Sequence, residues 1–187
     1  HADPEVRILA LRYLAQQDAA IYAEEVVARL RDADERVRAE AVEALCALGK
    51  LRVIPRVLRF LEDPSPRIRG AAVLGLIKHT GLDGFLHAGE HLKAMLQSAD
   101  WRARMEAANV LGSLQVPSFY HPLLALLDDP SVEVQVAAIR AAGRVCAPEL
   151  IPHLVGKLSH PLTCWYATDA LGQCLDSDLR RLEGLLE

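Results

Sequence analysis

The stretch Val6-Arg7-Ile8-Leu9-Ala10-Leu11-Arg12-Tyr13-Leu14 returns as Val37-Arg38-Ala39-Glu40-Ala41-Val42-Glu43-Ala44-Leu45 and again as Ile68-Arg69-Gly70-Ala71-Ala72-Val73-Leu74-Gly75-Leu76, each copy 31 residues after the last. Fainter copies open at Ala103, Val134 and Thr163, after steps of 35, 31 and 29. A fixed period of this size is the mark of a solenoid: one repeat cannot bury its apolar face alone and does so against its neighbours. Within each copy, counting its first residue as 0, positions 0, +4, +5 and +8 are apolar, as in Val37, Ala41, Val42 and Leu45 or Val134, Ala138, Ile139 and Ala142. That spacing is a helical stripe, and small Ala at +4 lets a neighbouring helix approach closely.

These motif helices, the B helices, alternate with shorter apolar segments, the A helices. The expected A helices run over Ala20–Leu30, Val53–Leu61, Gly89–Leu96, Ser118–Leu127, Glu149–Leu158 and Asp178–Leu186. Asp3-Pro4, Asp63-Pro64 and Asp129-Pro130 place a capping carboxylate before a proline, whose missing N–H costs nothing in a first turn. Pro55 and Pro152 fall in the first turns of their A helices, where proline is tolerated. Gly49, Gly112 and Gly143 are expected to end B helices. Lys78–Ala88 is the one irregular connection, and no segment shows the period-2 alternation of a strand.

Paired helices with Asp–Pro at the A-to-B turn and V-R-x-x-A-[AV]-x-A-L in the B helix resemble HEAT repeats, most closely the short bacterial type found in phycobilisome lyases. The resemblance covers nearly the whole chain and implies an all-α, right-handed HEAT-like α-solenoid of about six helix-pair repeats. It also implies a ladder between adjacent repeats made by an Asp and an Arg six residues apart. Asp32/Arg38 and Asp63/Arg69 fit that ladder; Ser98/Arg104 and Asp129/Gln135 each lose one partner, and Cys164 replaces the last Arg. The chain opens on a B helix and closes on an A helix, so residues 1–187 are expected to be a single array cut from a longer multidomain protein.

Composition narrows the partner. A net charge of −4 offers no global basic field for a phosphate backbone, which disfavours nucleic acid. No apolar run is long enough to insert in a bilayer, although the full-length protein could be attached to a membrane. Cys46, Cys146, Cys164 and Cys174 form no C-x-x-C pair, which fits a reducing, cytoplasmic setting.

His87-Ala88-Gly89-Glu90-His91 matches H-x-x-E-H, in which two His share a helix face with an acid between them. Gly89 weakens that helix and no third ligand suggests itself, so His87, Glu90 and His91 are candidates only and no metal or other cofactor is expected. The Arg column is assigned to structural pairing rather than anion binding, with Asp32, Arg38, Asp63, Arg69 and Arg104 as the ladder. Positions +2 and +6 lie outside the buried stripe. The resemblance places B helices on a concave face, so Leu74, Met105, Asn109, Val136, Arg140, Trp165 and Asp169 are the expected partner-binding groove; the competing reading buries Met105 or Trp165 between B helices. Trp101, which opens its B helix, is expected to cap an A/B crevice.

There is no G-x-S-x-G, no phosphate loop and no Cys/His dyad. HEAT-like enzymes of the deoxyhypusine hydroxylase type require His-Glu dipeptides for iron, and none occurs here. The expected role is therefore a noncatalytic scaffold or regulatory module that binds a protein, or another domain of its own chain, through the B-helix face. A lyase-type or metal-dependent enzyme subunit on the same repeats is the alternative.

Overall fold

The computed structural model describes residues 1–17 and 20–183, with side-chain surroundings given up to residue 176 apart from residue 20. Ten helices follow one another: α1 (Pro4–Gln16), α2 (Ala23–Arg29), α3 (Glu35–Gly49), α4 (Ile54–Val57), α5 (Pro66–Leu96), α6 (Trp101–Leu114), α7 (Tyr120–Leu127), α8 (Val132–Val145), α9 (Ile151–Lys157) and α10 (Cys164–Glu183). No strand occurs among the described residues, as the helical period requires. The chain divides into two compact units, His1–Met95 and Leu96–Glu187.

In each unit the motif stripe forms the core. Val37, Ala41 and Val42 are fully buried and Leu45 nearly so, and Val134, Ala138, Ile139 and Ala142 are fully buried. The first copy differs, because Val6 is 42% exposed although Leu11 is buried. A cleft of about 190 Å³ there is lined by Val6, Ala10, Leu14 and Val26, among others.

The A helices are shorter than their apolar runs. The second is only Ile54–Val57, flanked by 3-10 turns over Lys50–Val53 and Leu58–Glu62. Pro55 and Pro152 sit in first turns as expected. Lys78–Ala88 is not a loop. Helix resumes straight after Gly81, whose φ of 65° and ψ of −138° break α5 at one residue, in a conformation that side chains with a Cβ rarely adopt. The last B helix runs on without a break to Glu183, so the expected A helix at Asp178–Leu186 starts no separate element within the described residues.

Capping follows a different rule from the one expected. Asp3 does cap α1, accepting from Glu5 N–H at 2.9 Å with Pro4 in the first turn. Asp63 and Asp129 instead lie upstream of their helices and accept from Ser65 and Ser131 N–H, each at 2.9 Å, as Asp32 does from Asp34 N–H at 3.0 Å. These are Asx turns that shape the A-to-B connection. The cap proper falls two residues later, to Asp34, whose Oδ1 accepts from Arg36 N–H at 2.8 Å, and to Ser65, whose Oγ accepts from Ile68 N–H at 3.3 Å.

Gly112 and Gly143 end no helix. Each lies inside its B helix, and a Cβ on Gly112 would stand 2.8 Å from Ala141 Cα, one on Gly143 2.7 Å from Ala170 Cα. Position +9 of one copy thus meets position +7 of the next at backbone contact. The crossing of α3 and α5 inverts the pair: Cys46 is at +9, and a Cβ on Gly75 at +7 would stand 2.7 Å from its Sγ. The helices α6 and α8 end on the non-glycine residues Gln115 and Cys146 in left-handed conformation, with φ of 53° and 49°.

A methyl at either crossing has nowhere to go. Gly112→Ala and Gly143→Ala should each cost about 1–3 kcal/mol by overpacking. Gly156→Ala, in helix α9 with open space around it, should be neutral or stabilising by about 0.5–1 kcal/mol through helix propensity. Urea unfolding midpoints of the three variants check this; equal effects would reject the crossing.

Candidate functional site

The repeated Arg at +1 does two things. Its Nη1 donates back to the two carbonyls of the A-to-B turn: Arg38 to Asp32 and Ala33 at 2.8 and 3.1 Å, Arg69 to Asp63 and Pro64 at 2.7 and 3.1 Å, and Arg104 to Ser98 and Ala99 at 2.8 and 3.1 Å. Gln135 keeps one of these bonds, Nε2 donating to Asp129 O at 2.7 Å. So within a repeat the six-residue spacing ties Arg to the Asp backbone. At two turns the carboxylate is taken by the Arg of the preceding repeat: Arg7 Nη2 reaches Asp32 Oδ1 at 2.7 Å, and Arg104 grips Asp129 with Nε and Nη2 at 2.7 and 2.8 Å.

Two consequences differ from the sequence expectation. Ser98/Arg104 and Asp129/Gln135, each of which lacks a partner at six-residue spacing, together supply one complete bidentate rung. Arg7 binds Asp32 through one nitrogen only, and its buried Nε has no acceptor. Both rung carboxylates are 5% exposed. The hydrogen bond from Arg7 holds the Asp32 pKa below the ordinary carboxylate value, and that from Arg104 does the same for Asp129. Each therefore stays charged although shielded.

The +2 and +6 positions do not form one surface. In the first unit +2 is core, with Ile8 and Ala39 buried, and +6 is mixed: Arg12 is exposed, whereas Leu74 is 8% exposed, which removes it from any groove. In the second unit Met105, Asn109 and Val136 are half-buried, whereas Arg140, Trp165 and Asp169 are exposed. Trp165, at 76% exposure, projects from a helix whose Ala167 and Ala170 are packed. Arg140 lies with Cζ 4.8 Å from the Tyr166 ring centroid. Tyr166 was outside the columns singled out by sequence. The diagonal from +6 of one copy to +3 of the next would have found it, since Arg12 meets Glu40 on the same diagonal, Nε to Oε2 at 2.9 Å.

That diagonal leads to a charged cluster in the first unit. Glu40 is held by Arg12, and Lys78 Nζ stands 3.8 Å from Glu43 Oε1. Burial first, then the charge of Glu40, raise the Glu43 pKa. Burial and Glu43 together push the Cys46 thiol up to about 12, so it behaves as an apolar core atom. Burial, then Lys78, lower the His79 pKa.

Of the H-x-x-E-H residues, His87 is exposed, His91 half-buried, and Glu90 pairs with Lys93 at 3.8 Å. Among the described residues no group of three or more His, Cys, Asp or Glu is arranged to hold a metal ion. Trp101 is half-buried at the start of α6 with Arg102 stacked 4.9 Å from its ring centroid.

Comparison with known proteins gives three results. A family model described as HEAT repeats matches residues 1–77 and 89–163. No curated protein matches the chain. Among solved structures, human deoxyhypusine hydroxylase in complex with glycerol is similar at 18% identity and a TM-score of 0.48, over 94% of this chain and 81% of that one. The expectation of a noncatalytic scaffold or regulatory module is corrected here. One solved structure similar to the array is an enzyme, a finding that agrees with the enzyme-subunit alternative rather than with that expectation. The likeness itself, at this identity and TM-score, brings neither an activity nor a residue to this chain.

The rung makes a testable statement about acid. Arg104→Ala strands a shielded carboxylate and should cost about 1–3 kcal/mol, whereas Gln135→Ala gives up one neutral hydrogen bond, about 1 kcal/mol or less. Because the folded pKa of Asp129 is lowered, the rung contributes fully above the unfolded value, about 3.9, and its contribution is lost as pH falls through the lowered folded value. Melts from neutral pH down to about pH 2 should therefore show the gap between Arg104→Ala and the parent chain narrowing at the acid end to what the two carbonyl bonds contribute. A gap that stays constant with pH would reject the ion pair.

Proposed function

Because the chain belongs to the HEAT-repeat family, whose arrays often mediate protein interaction, we propose that it is a subunit of an enzyme and that it holds a protein there, either a separate chain or another domain of the same polypeptide. One observation carries the holding role: Trp165 stands 76% exposed on a helix that packs through Ala167, Ala170 and Cys174. Trp and Arg are the residue types that most often anchor interfaces, and Arg140 is exposed over the ring of Tyr166, the next residue in the chain. Met105 and Val136 extend the row as half-buried apolar neighbours.

The enzyme part has separate support from Glu43. A half-buried carboxyl whose pKa burial raises, next to an ammonium and a second carboxylate, is a combination that acid–base sites also use. A protein rather than a nucleic acid is the partner that a net charge of −4 favours. Among the described residues no helix is long and apolar enough to cross a membrane. A cytoplasmic setting suits four free thiols, two of them buried.

Trp165→Ala tests the holding role. With the ring exposed, its loss should change stability by less than about 0.5 kcal/mol. Partner capture should weaken by about 2 kcal/mol, some thirtyfold. A thermal melt beside a pull-down from the source organism reads both quantities. Unchanged capture, or a large stability loss with capture intact, would retire this surface.

A further inference from the structure

We infer that the segment held at Trp165 is acidic as well as apolar: a peptide stretch with an Asp or Glu side chain for Arg140 beside an aliphatic or aromatic residue for the indole. This rests on the proposal that Trp165 marks a protein-binding surface, and it adds the chemistry of what is bound.

The argument comes from comparing two rungs of one diagonal. In the first unit, Arg12 at +6 is neutralised by Glu40 at +3 of the next copy, with the two side chains 2.9 Å apart. In the second unit the same two places hold Arg140 and Tyr166. The acid is gone, and the guanidinium lies over a phenol ring at 4.8 Å. No carboxylate among the described residues pairs with Arg140.

A guanidinium stacked on a ring keeps its N–H donors in plane and directed outward, and it has already given up much of its rotamer freedom. It can therefore take a carboxylate in the bidentate manner that Arg104 shows with Asp129. Arg144 follows four residues later on the same face of α8 and is also exposed, which strengthens the local positive field. Asp169 on α10 accepts from Gln173 Nε2 at 2.9 Å. Trp165 precedes Tyr166 directly, so consecutive residues of α10 carry an exposed apolar side chain and the ring under a preorganised cation, and a segment that reaches both needs both features.

A displayed library of random peptides, selected on the immobilised full chain, tests this. Peptides enriched on the parent chain should carry Asp or Glu close to Leu, Ile, Val or Phe. Arg140→Glu should weaken the best such peptide at least about tenfold by fluorescence anisotropy, with more loss at low salt than at high. Trp165→Ala should weaken it too, and circular dichroism melts confirm that both variants are folded. Enrichment of neutral or basic peptides, or equal binding of the acidic ones by Arg140→Glu, overturns the inference. If Trp165→Ala abolishes capture while Arg140→Glu leaves the acid preference intact, the acidic partner is wrong and the protein-binding surface survives. If neither variant changes capture, or nothing is enriched over blank beads, both fail. An oligonucleotide bound through Arg140 in place of any peptide would also overturn it, in favour of phosphate.

Discussion

Within each unit B helices meet at their backbones, and this contact sets the distance on which the other interactions depend. At three crossings it is made possible by one glycine, at +9 in Gly112 and Gly143 and at +7 in Gly75. Close-packed interiors yield little to an added methyl, so at these three crossings the glycine can change sides of the contact, while the α1/α3 pair places Ala15 and Ala44 at the same positions. With the helices this close, the apolar stripe of each copy is covered by small and branched side chains alone, which is why a chain with few aromatics can still form a dry core.

The same spacing places a charge pair at each of two A-to-B turns. An arginine that first satisfies two carbonyls of its own turn has donors left over, and the next repeat's Asp stands where they point. That Asp in turn fixes the start of its own turn by accepting a backbone N–H. Backbone polar groups in a short connection, which would otherwise be buried without partners, are thereby paired. The bidentate rung at Arg104 and the monodentate one at Arg7 show that the arrangement tolerates variation in how the fork is used.

Outside the core and the rungs, the B helices carry a diagonal from +6 to +3 whose chemistry changes along the chain. At Arg12 and Glu40 it is a closed ion pair, next to a carboxyl at Glu43 that burial keeps reluctant to ionise. At Arg140 and Tyr166 it is a cation resting on a ring beside an exposed indole. The first arrangement has its charges answered from within the protein; the second presents donors and apolar area together. A repeat scaffold can thus keep one backbone geometry while its surface takes on different work.

The sequence by itself determined the all-α class, the period, the buried stripe and the identity of the B helices, because each of these depends only on residue type at helical spacing. Val37, Ala41, Val42 and Leu45 could be assigned to the core without coordinates. Tertiary structure alone decided what depends on neighbours at long range. Gly112 and Gly143 read as helix ends until Ala141 and Ala170 were seen against them. Asp63 and Asp129 read as caps until the helices were found to start beyond them. Leu74 and Trp165 occupy the same two surface columns in sequence, yet one is buried and the other stands in solvent. Period sets the face of a helix to within tens of degrees; what is packed against that face is a property of the three-dimensional contacts, and the sequence pattern does not carry it.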